Sequence, residues 1–294
     1  MSYSHKKIKP PLIRRARAFA RLGRWPFLAG GVIYHALGAA LAHYSGAPLN
    51  PRALLWGQVA VTAAQLMTHY ANEYFDLAAD RANRTPTVWA GGSRVLPDGE
   101  LPPPVALIAA LALAAVALSA GLVLAFALGT GPLTLPLIGL AMGLAWFYSA
   151  PPLRLHGRGL GELTVALIVP GLTPLLGFYL QSGRLTPLPL LAVLPVCCQQ
   201  FAGQIAINFP DAAGDAASGK RTLVTVLGGE GAARLLIVSL VAAYAALPLL
   251  TGAGLPALAA AAVALSGPVA IWQAWRLGRG VWARPACWDS LSLW

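Results

Sequence analysis

The chain has 294 residues, of which 57% are hydrophobic and 11% charged, with a mean hydropathy of +0.65. Soluble domains carry about 25% charged residues, so the composition excludes an ordinary soluble core and points to a chain that crosses a membrane several times. The formal net charge of +11 does not mark a nucleic-acid binder. Eight of the cations (Lys6, Lys7, Lys9, Arg14, Arg15, Arg17, Arg21 and Arg24) form one N-terminal run beside the first apolar segment, as topology signals do, and such a run also suits contact with anionic lipid.

Eight apolar runs follow in chain order, near 25–45, 53–73, 103–128, 131–149, 161–181, 187–208, 232–251 and 254–275. A spanning helix needs roughly 20 residues. None of the runs alternates as barrel strands do, and helices satisfy their own backbone in lipid. The expected fold is all-α: a polytopic transmembrane helix bundle with eight spans. A basic cytoplasmic tail over 1–24 precedes a single transmembrane domain over 25–294. No cleavable signal peptide is expected, because the basic region is long and the first apolar run is span-length. Nineteen of the 21 Lys and Arg fall on one face, and only Arg52 and Arg184 on the other. The positive-inside rule makes the first face cytoplasmic, which puts the N-terminus and the long loops near 74–102, 148–160 and 209–231 on that side of the cytoplasmic membrane. All ten acidic residues share that face. The rule does not require this of acids, so it marks the face as the place of polar chemistry. Cys197, Cys198 and Cys287 show no metal or disulfide spacing and read as packing residues.

Two spans end in matching polar stripes. The second carries Gln65, His69, Asn72, Asp76 and Asp80, and the sixth carries Gln200, Gln204, Asn208, Asp211 and Asp215. Steps of three and four keep each set on one helical face. Amides inside the membrane give way to carboxylates at the cytoplasmic end. The two helices lie four spans apart and run in the same direction, which hints at a parallel four-helix repeat. A carboxylate near lipid is costly and rarely stands without a partner. Four at matched depth repel one another unless cations intervene. Mg²⁺ favours a few carboxylates plus water and phosphate oxygens, and Asn72 and Asn208 add neutral ligands or hold a metal-bound water. The acidic face therefore reads as a Mg²⁺–diphosphate site built from Asp76, Asp80, Asp211, Asp215, Asn72 and Asn208. Arg81 and Arg84 follow the first stripe and Lys220 and Arg221 the second. They either take outer phosphate oxygens and stabilise a departing diphosphate or serve as topology signals.

The stretches NEYFDLAAD (72–80) and NFPDAAGDAASGKRT (208–222) together resemble the two aspartate-rich motifs of the UbiA superfamily of intramembrane prenyltransferases. YSAPPLRLHGRGLGE (148–162) resembles the loop after the fourth helix in its naphthoate branch, and GKRT looks more like the 1,4-dihydroxy-2-naphthoate prenyltransferases than the 4-hydroxybenzoate branch. The resemblance covers about residues 20 to 280. It implies nine helices around a central cavity, and a polyprenyl diphosphate bound through Mg²⁺ held by both motifs, with Tyr148, Lys220 and Arg221 nearby. It further implies transfer of the prenyl group to an aromatic acceptor. The tail RGVWARPACWDSLSLW is too polar and short for a ninth span, and Glu73 stands where Asp is common.

The chemistry follows. An allylic diphosphate ionises when cations offset charge on its leaving oxygens, and an apolar cavity keeps water from the allyl cation. Tyr74, Phe75, Trp146, Phe147 and Tyr148 sit beside the motifs, either to stabilise positive charge or as interface anchors. Two prolines end the fourth helix, and Arg154, His156 and Arg158 beyond them either guide an anionic acceptor or obey the positive-inside rule. No residue stands out as the base. Other acceptors remain open: 4-hydroxybenzoate, another phenol or a lipid alcohol. A membrane phosphatidyltransferase would gather its acids in one stretch, and a secondary transporter would place polar groups near the midplane on broken helices.

Overall fold

The computed structural model describes residues 12–87 and 89–291. Its helices are α1 (Leu12–Leu22), α2 (Leu28–Tyr44), α3 (Pro51–Phe75), α4 (Leu77–Ala82), α5 (Pro104–Ala127), α6 (Thr134–Ser149), α7 (Gly161–Ser182), α8 (Pro187–Asn208), α9 (Ala212–Ala217), α10 (Leu223–Gly252), α11 (Ala257–Gly278) and α12 (Trp288–Leu291). Among the described residues there is no strand. Each of the eight apolar runs forms one rod. Six segments are both long and apolar enough to cross a membrane: Leu12–Tyr44, α5, α7, α8, α10 and α11. α6 is apolar but has only 16 residues. α3 has 25 residues but falls short in hydropathy, because its inner face carries the first polar stripe. After α11 come only short turns over Val281–Ala283 and Pro285–Cys287 and the four residues of α12. The described residues thus hold no ninth span.

Local chemistry sets the helix ends. Asn50 caps α3 by accepting from the backbone N–H groups of Arg52 and Ala53, with Pro51 at the first helical position. Thr222 caps a first turn over 223–227, the chain kinks at Gly228 with φ 70 and ψ 166, and the main rod of α10 runs on from there. Pro170 sits in the wide π turn Ile168–Leu172 of α7, where the missing N–H bends the rod.

The bundle is packed with small residues. Ala53, Ala60, Ala63 and Ala71 of α3 meet Ala106, Ala110, Ala117 and Ala120 of α5. Ala202 and Ala206 of α8 face Ala232, Ala233 and Leu236 of α10. Small side chains let helix backbones approach where lipid supplies no hydrophobic drive between helices. Large apolar residues point outward instead: Phe126, Leu249, Leu258 and Ile271 are exposed, as a lipid-facing surface requires. The basic N-terminal segment is partly built in. α1 buries Ala18 and Leu22, and the Tyr70 hydroxyl of α3 donates to the Phe19 carbonyl at 2.9 Å.

The crossing of α2 and α7 depends on two glycines. A Cβ on Gly38 would lie 2.0 Å from the Pro174 carbonyl oxygen, and one on Gly177 would lie 2.4 Å from that of His35. Gly38→Val is expected to separate these helices and cost at least about 1–3 kcal/mol of stability. Thermal unfolding in detergent checks this, and an unchanged midpoint would contradict the packing.

Candidate active site

The two stripes converge on one cavity of about 410 Å³, and all ten stripe residues line it. Its wall runs from polar to apolar. Toward the C-terminal ends of α3 and α8 stand the four aspartates, Asn72, Asn83, Asn208 and Lys220. Deeper, α3, α6 and α7 supply Ala60, Val61, Ala64, Ile138, Met142, Ile168, Val169 and Leu172.

Each acidic motif straddles a helix break. α3 ends at Phe75, Asp76 leaves the helix with φ −93 and ψ 3, and α4 restarts the chain with Asp80 one turn later. α8 ends at Asn208, two residues ahead of Pro210, which has no backbone N–H to carry the helix on, and α9 then presents Asp215. The short helices α4 and α9 pack against each other. Asn83 fastens them: its side-chain N–H donates to Asp211 Oδ1 at 2.6 Å, while the Thr85 hydroxyl donates to the Pro210 carbonyl at 3.3 Å. The loop between α4 and α5 folds over this mouth. Glu73, buried, accepts from the Ser93 N–H and hydroxyl at 2.7 Å each, and Arg94 donates to the Asp80 carbonyl. Gly92, at φ +69, lies so near that a Cβ there would sit 2.3 Å from Asp80 Oδ2.

The charges form one network. Lys220 Nζ lies 3.0 Å from Asp76 Oδ2 and 3.4 Å from Asp215 Oδ1, bridging the two motifs. His156 Nε2 pairs with Asp76 Oδ1, and its ring stands 5.2 Å from that of Tyr148. Asn72 donates to Asp76 Oδ2 at 2.8 Å and to the Ser149 hydroxyl at 2.9 Å. Asn208 donates to buried Glu162 at 2.9 Å, and the same carboxylate oxygen accepts the Leu223 N–H at the start of α10. Both asparagines therefore keep their amide oxygens for a ligand.

Burial alone would raise the Asp76 carboxyl, but Lys220 and His156 beside it hold it well below the usual range. Burial and the neighbouring charges of Asp76, Glu73 and Asp211 push Asp80 up to about 8. Burial likewise pushes Asp215 up to about 6 and raises Asp211. Burial would lower the Lys220 ammonium, yet Asp76 and Asp215 more than offset it and raise it.

Buried Asp80 Oδ2 and Asp215 Oδ2 have no hydrogen-bond partner. Two orphaned carboxylate oxygens in a site where carboxylates crowd one another fit a hard divalent cation. Among the described residues no three His, Cys, Asp or Glu groups gather closely enough to hold an ion by themselves.

The other predicted residues are placed as follows. Tyr148 lines the cavity. Arg81, Arg84, Arg154, Arg158 and Arg221 are exposed and outside its wall. Arg158 donates to the Pro152 carbonyl at 2.8 Å, and the Arg221 backbone N–H to the Gly157 carbonyl at 3.1 Å. Tyr74, Phe75 and Trp146 pack on the core. His69, Gln65 and the amides of the second stripe all face the cavity, and His69 Nδ1 and Gln65 Nε2 reach the carbonyls of Gly23 and Phe27 at 2.7 and 3.5 Å. Sequence reasoning missed Asn83, Glu162 and Arg24. The asparagine and the glutamate carry no spacing signal, and Arg24 is hidden in a run of cations that obeys the topology rule.

A family model described as the UbiA prenyltransferase family matches residues 32–291, and the chain belongs to that family. It is 26% identical over 180 residues to the 1,4-dihydroxy-2-naphthoate octaprenyltransferase of Bacillus subtilis (strain 168), an alignment covering 61% of this chain. The chain spans little more than half the length of that relative, 56%. The fold matches the apo structure of a UbiA homolog from Aeropyrum pernix K1 with a TM-score of 0.69 at 20% identity, over 91% of this chain and 93% of the other. It also matches a UbiA homolog from Archaeoglobus fulgidus bound to GPP and Mg²⁺, with a TM-score of 0.65 at 14% identity, over 94% and 95% of the two chains. The chain is thus a membrane protein of the UbiA fold.

The raised carboxyls give a pH dependence. Between the ordinary aspartate value of 3.8 and the folded value of about 8 for Asp80, the native state binds more protons than the unfolded chain. Stability therefore falls as pH rises through this window. Above about pH 5 the lowered Asp76 carboxyl is ionised in both the folded and the unfolded state and leaves the sign unchanged. Thermal midpoints in EDTA are expected to decline from pH 5 to pH 8, and Mg²⁺ is expected to flatten the decline. A rising midpoint in EDTA would contradict the crowded-carboxylate picture.

Proposed function

We propose that the chain is a Mg²⁺-dependent prenyltransferase that moves an isoprenyl group from a polyprenyl diphosphate to an aromatic acceptor such as 1,4-dihydroxy-2-naphthoate, in prenyl-lipid or quinone biosynthesis. The observation that carries this reading is the convergence of both aspartate stripes on one cavity whose depth is apolar. A diphosphate head fits the polar mouth and a hydrocarbon tail fits the wall below it. The acceptor assignment draws on the Bacillus subtilis relative and on the GKRT stretch. Mg²⁺ and an allylic diphosphate draw on the Archaeoglobus homolog bound to GPP and Mg²⁺.

When bound, Mg²⁺ would neutralise the carboxylates and the diphosphate and draw charge from the leaving oxygens. Asp76, Asp80, Asp211 and Asp215, with the amide oxygens of Asn72 and Asn208, are the groups placed to hold it. Lys220, fixed between Asp76 and Asp215, brings a permanent positive charge to the oxygens that depart. His156 holds Asp76 in its orientation. The alanine, isoleucine and methionine wall keeps water from the allylic carbon, and Tyr148 lines the same cavity with its ring 5.2 Å from that of His156. The membrane is the cytoplasmic one with this mouth facing the cytoplasm, in line with the placement of 19 of the 21 cations.

Membranes containing the protein, given Mg²⁺, a radiolabelled polyprenyl diphosphate and either dihydroxynaphthoate or hydroxybenzoate, are expected to form a prenylated lipid that EDTA abolishes. Folded Asp76→Ala and Asp211→Ala variants are expected to lose about 100-fold or more in rate. Normal turnover in either variant would refute the metal assignment. Diphosphate binding without product from either acceptor would redirect the reading to other acceptors, and no diphosphate binding would favour a transporter.

A further inference from the structure

The helix α1 stands outside the cavity and, over half its length, outside the bundle. It buries only Ala18 and Leu22. Every residue from 12 to 17 is exposed, so about 9 Å of helix projects from the fold. We propose that α1 is an interfacial foot that takes the headgroups of anionic phospholipids in the surrounding bilayer. Arg14 and Arg17 meet the phosphates, and Leu12, Ile13 and Phe19 enter the acyl boundary beneath them. The surface lies apart from the site chemistry, and the inference does not depend on the prenyl-transfer reading.

The sequence divides the helix into three faces. Arg14, Arg17 and Arg21 recur at steps of three and four, as do Leu12, Ala16 and Phe19, while Ala18 and Leu22 stand one turn apart on a third face. The bundle covers the third face alone. The apolar face is bare: Leu12 is 81% exposed and Ile13 68%, with Phe19 exposed beyond them. Leaving such side chains in water is unfavourable, and an acyl layer removes that cost. The basic face is open as well. Arg21 pairs with Glu100, but among the described residues Arg14, Arg15 and Arg17 have no acidic partner. A helix with arginines on one face and leucine and phenylalanine on another lies in the plane of the interface, and the arginine fork matches phosphate oxygens.

The depth of the helix agrees. Chain in hydrocarbon stays helical to satisfy its backbone, so the end of α3 at Phe75 marks the approach to the membrane surface. The Phe19 ring stands 5.1 Å from that of Tyr70, which lies about 7.5 Å short of that end. Trp25 is exposed near the same level, its indole N–H donating to the Ala20 carbonyl at 2.8 Å, and tryptophan favours this zone of a bilayer. The C-terminal end of α1 is fastened. The Gly23 carbonyl accepts from His69 at 2.7 Å, and Arg24 donates to the Trp89 carbonyl at 2.7 Å. The exposed half is therefore carried at a set height beside the bundle. An acidic protein segment would neutralise the arginines but leave Leu12 and Ile13 bare, whereas an anionic lipid layer satisfies both faces.

The test is hydrogen–deuterium exchange over residues 12–22 in the full protein, held in nanodiscs of phosphatidylcholine alone or mixed with phosphatidylglycerol. The anionic mixture is expected to slow exchange of α1 about fivefold or more, the worth of one arginine at an anionic surface, and added salt is expected to reverse the slowing. Arg14→Gln combined with Arg17→Gln is expected to abolish the difference between the discs while leaving the thermal midpoint in detergent unchanged. Arg14→Lys combined with Arg17→Lys is expected to keep most of it. Equal exchange of the wild type in the two discs, or a difference that survives in the glutamine variant, would overturn the inference. So would protection by added polyglutamate in phosphatidylcholine discs equal to that given by phosphatidylglycerol, which would assign the face to an acidic protein.

Discussion

Four carboxylates held at one water-poor mouth repel one another, and the surrounding architecture answers that repulsion. Lys220 lies between Asp76 and Asp215, His156 lies on Asp76, and Asn83 bonds Asp211. Even so, Asp80 and Asp215 keep an oxygen with no partner. A buried, unpaired carboxylate oxygen is costly in a protein interior, and the proposed cation would relieve that cost in both motifs. The folded loop at 83–94 serves the same end, since Glu73 and Arg94 hold it against the mouth and Gly92 allows the close approach to Asp80.

The apolar half is shaped by small residues. Alanines on α3, α5, α8 and α10 bring helices together, and Gly38 and Gly177 let α2 cross α7 almost backbone to backbone. This leaves the space between α3, α6 and α7 open beside the stripes. A site that ionises a hydrophobic substrate needs that adjacency of charge and oil, because the head group and the tail have opposite solvent preferences. Cavity, stripe and packing are one design in which amides line the helices and the carboxylates stand where α3 and α8 end.

Much of this was legible in the sequence. The eight rods follow from the hydropathy pattern, and the convergence of the stripes follows from steps of three and four residues that place Asp76 and Asp211 on matching faces. The two rods that fall short as spans are instructive: α3 loses hydropathy to its own stripe, and α6 is short because Pro151 and Pro152 stop it. The arginines illustrate the limit. A count of cations near the motifs cannot separate Arg81, Arg84, Arg154, Arg158 and Arg221, which face outward, from Arg24, which lines the cavity. The topology rule and site chemistry favour the same residue type at the same depth. Asn83 and Glu162 were not assigned to the site, and His156 was read as an acceptor guide or topology residue rather than as the partner of Asp76, because these roles depend on contacts between distant segments, such as Asn83 with Asp211, which no local period encodes.

The most direct test of the central claim is Mn²⁺ binding followed by electron paramagnetic resonance, with Mn²⁺ in place of Mg²⁺ and with GPP present or absent. A shared site predicts that Mn²⁺ is bound tightly only with GPP, and that Asp80→Asn and Asp215→Asn each abolish the bound signal although they lie on different helices. Mn²⁺ binding that survives unchanged when either motif is disabled would contradict a site built from both.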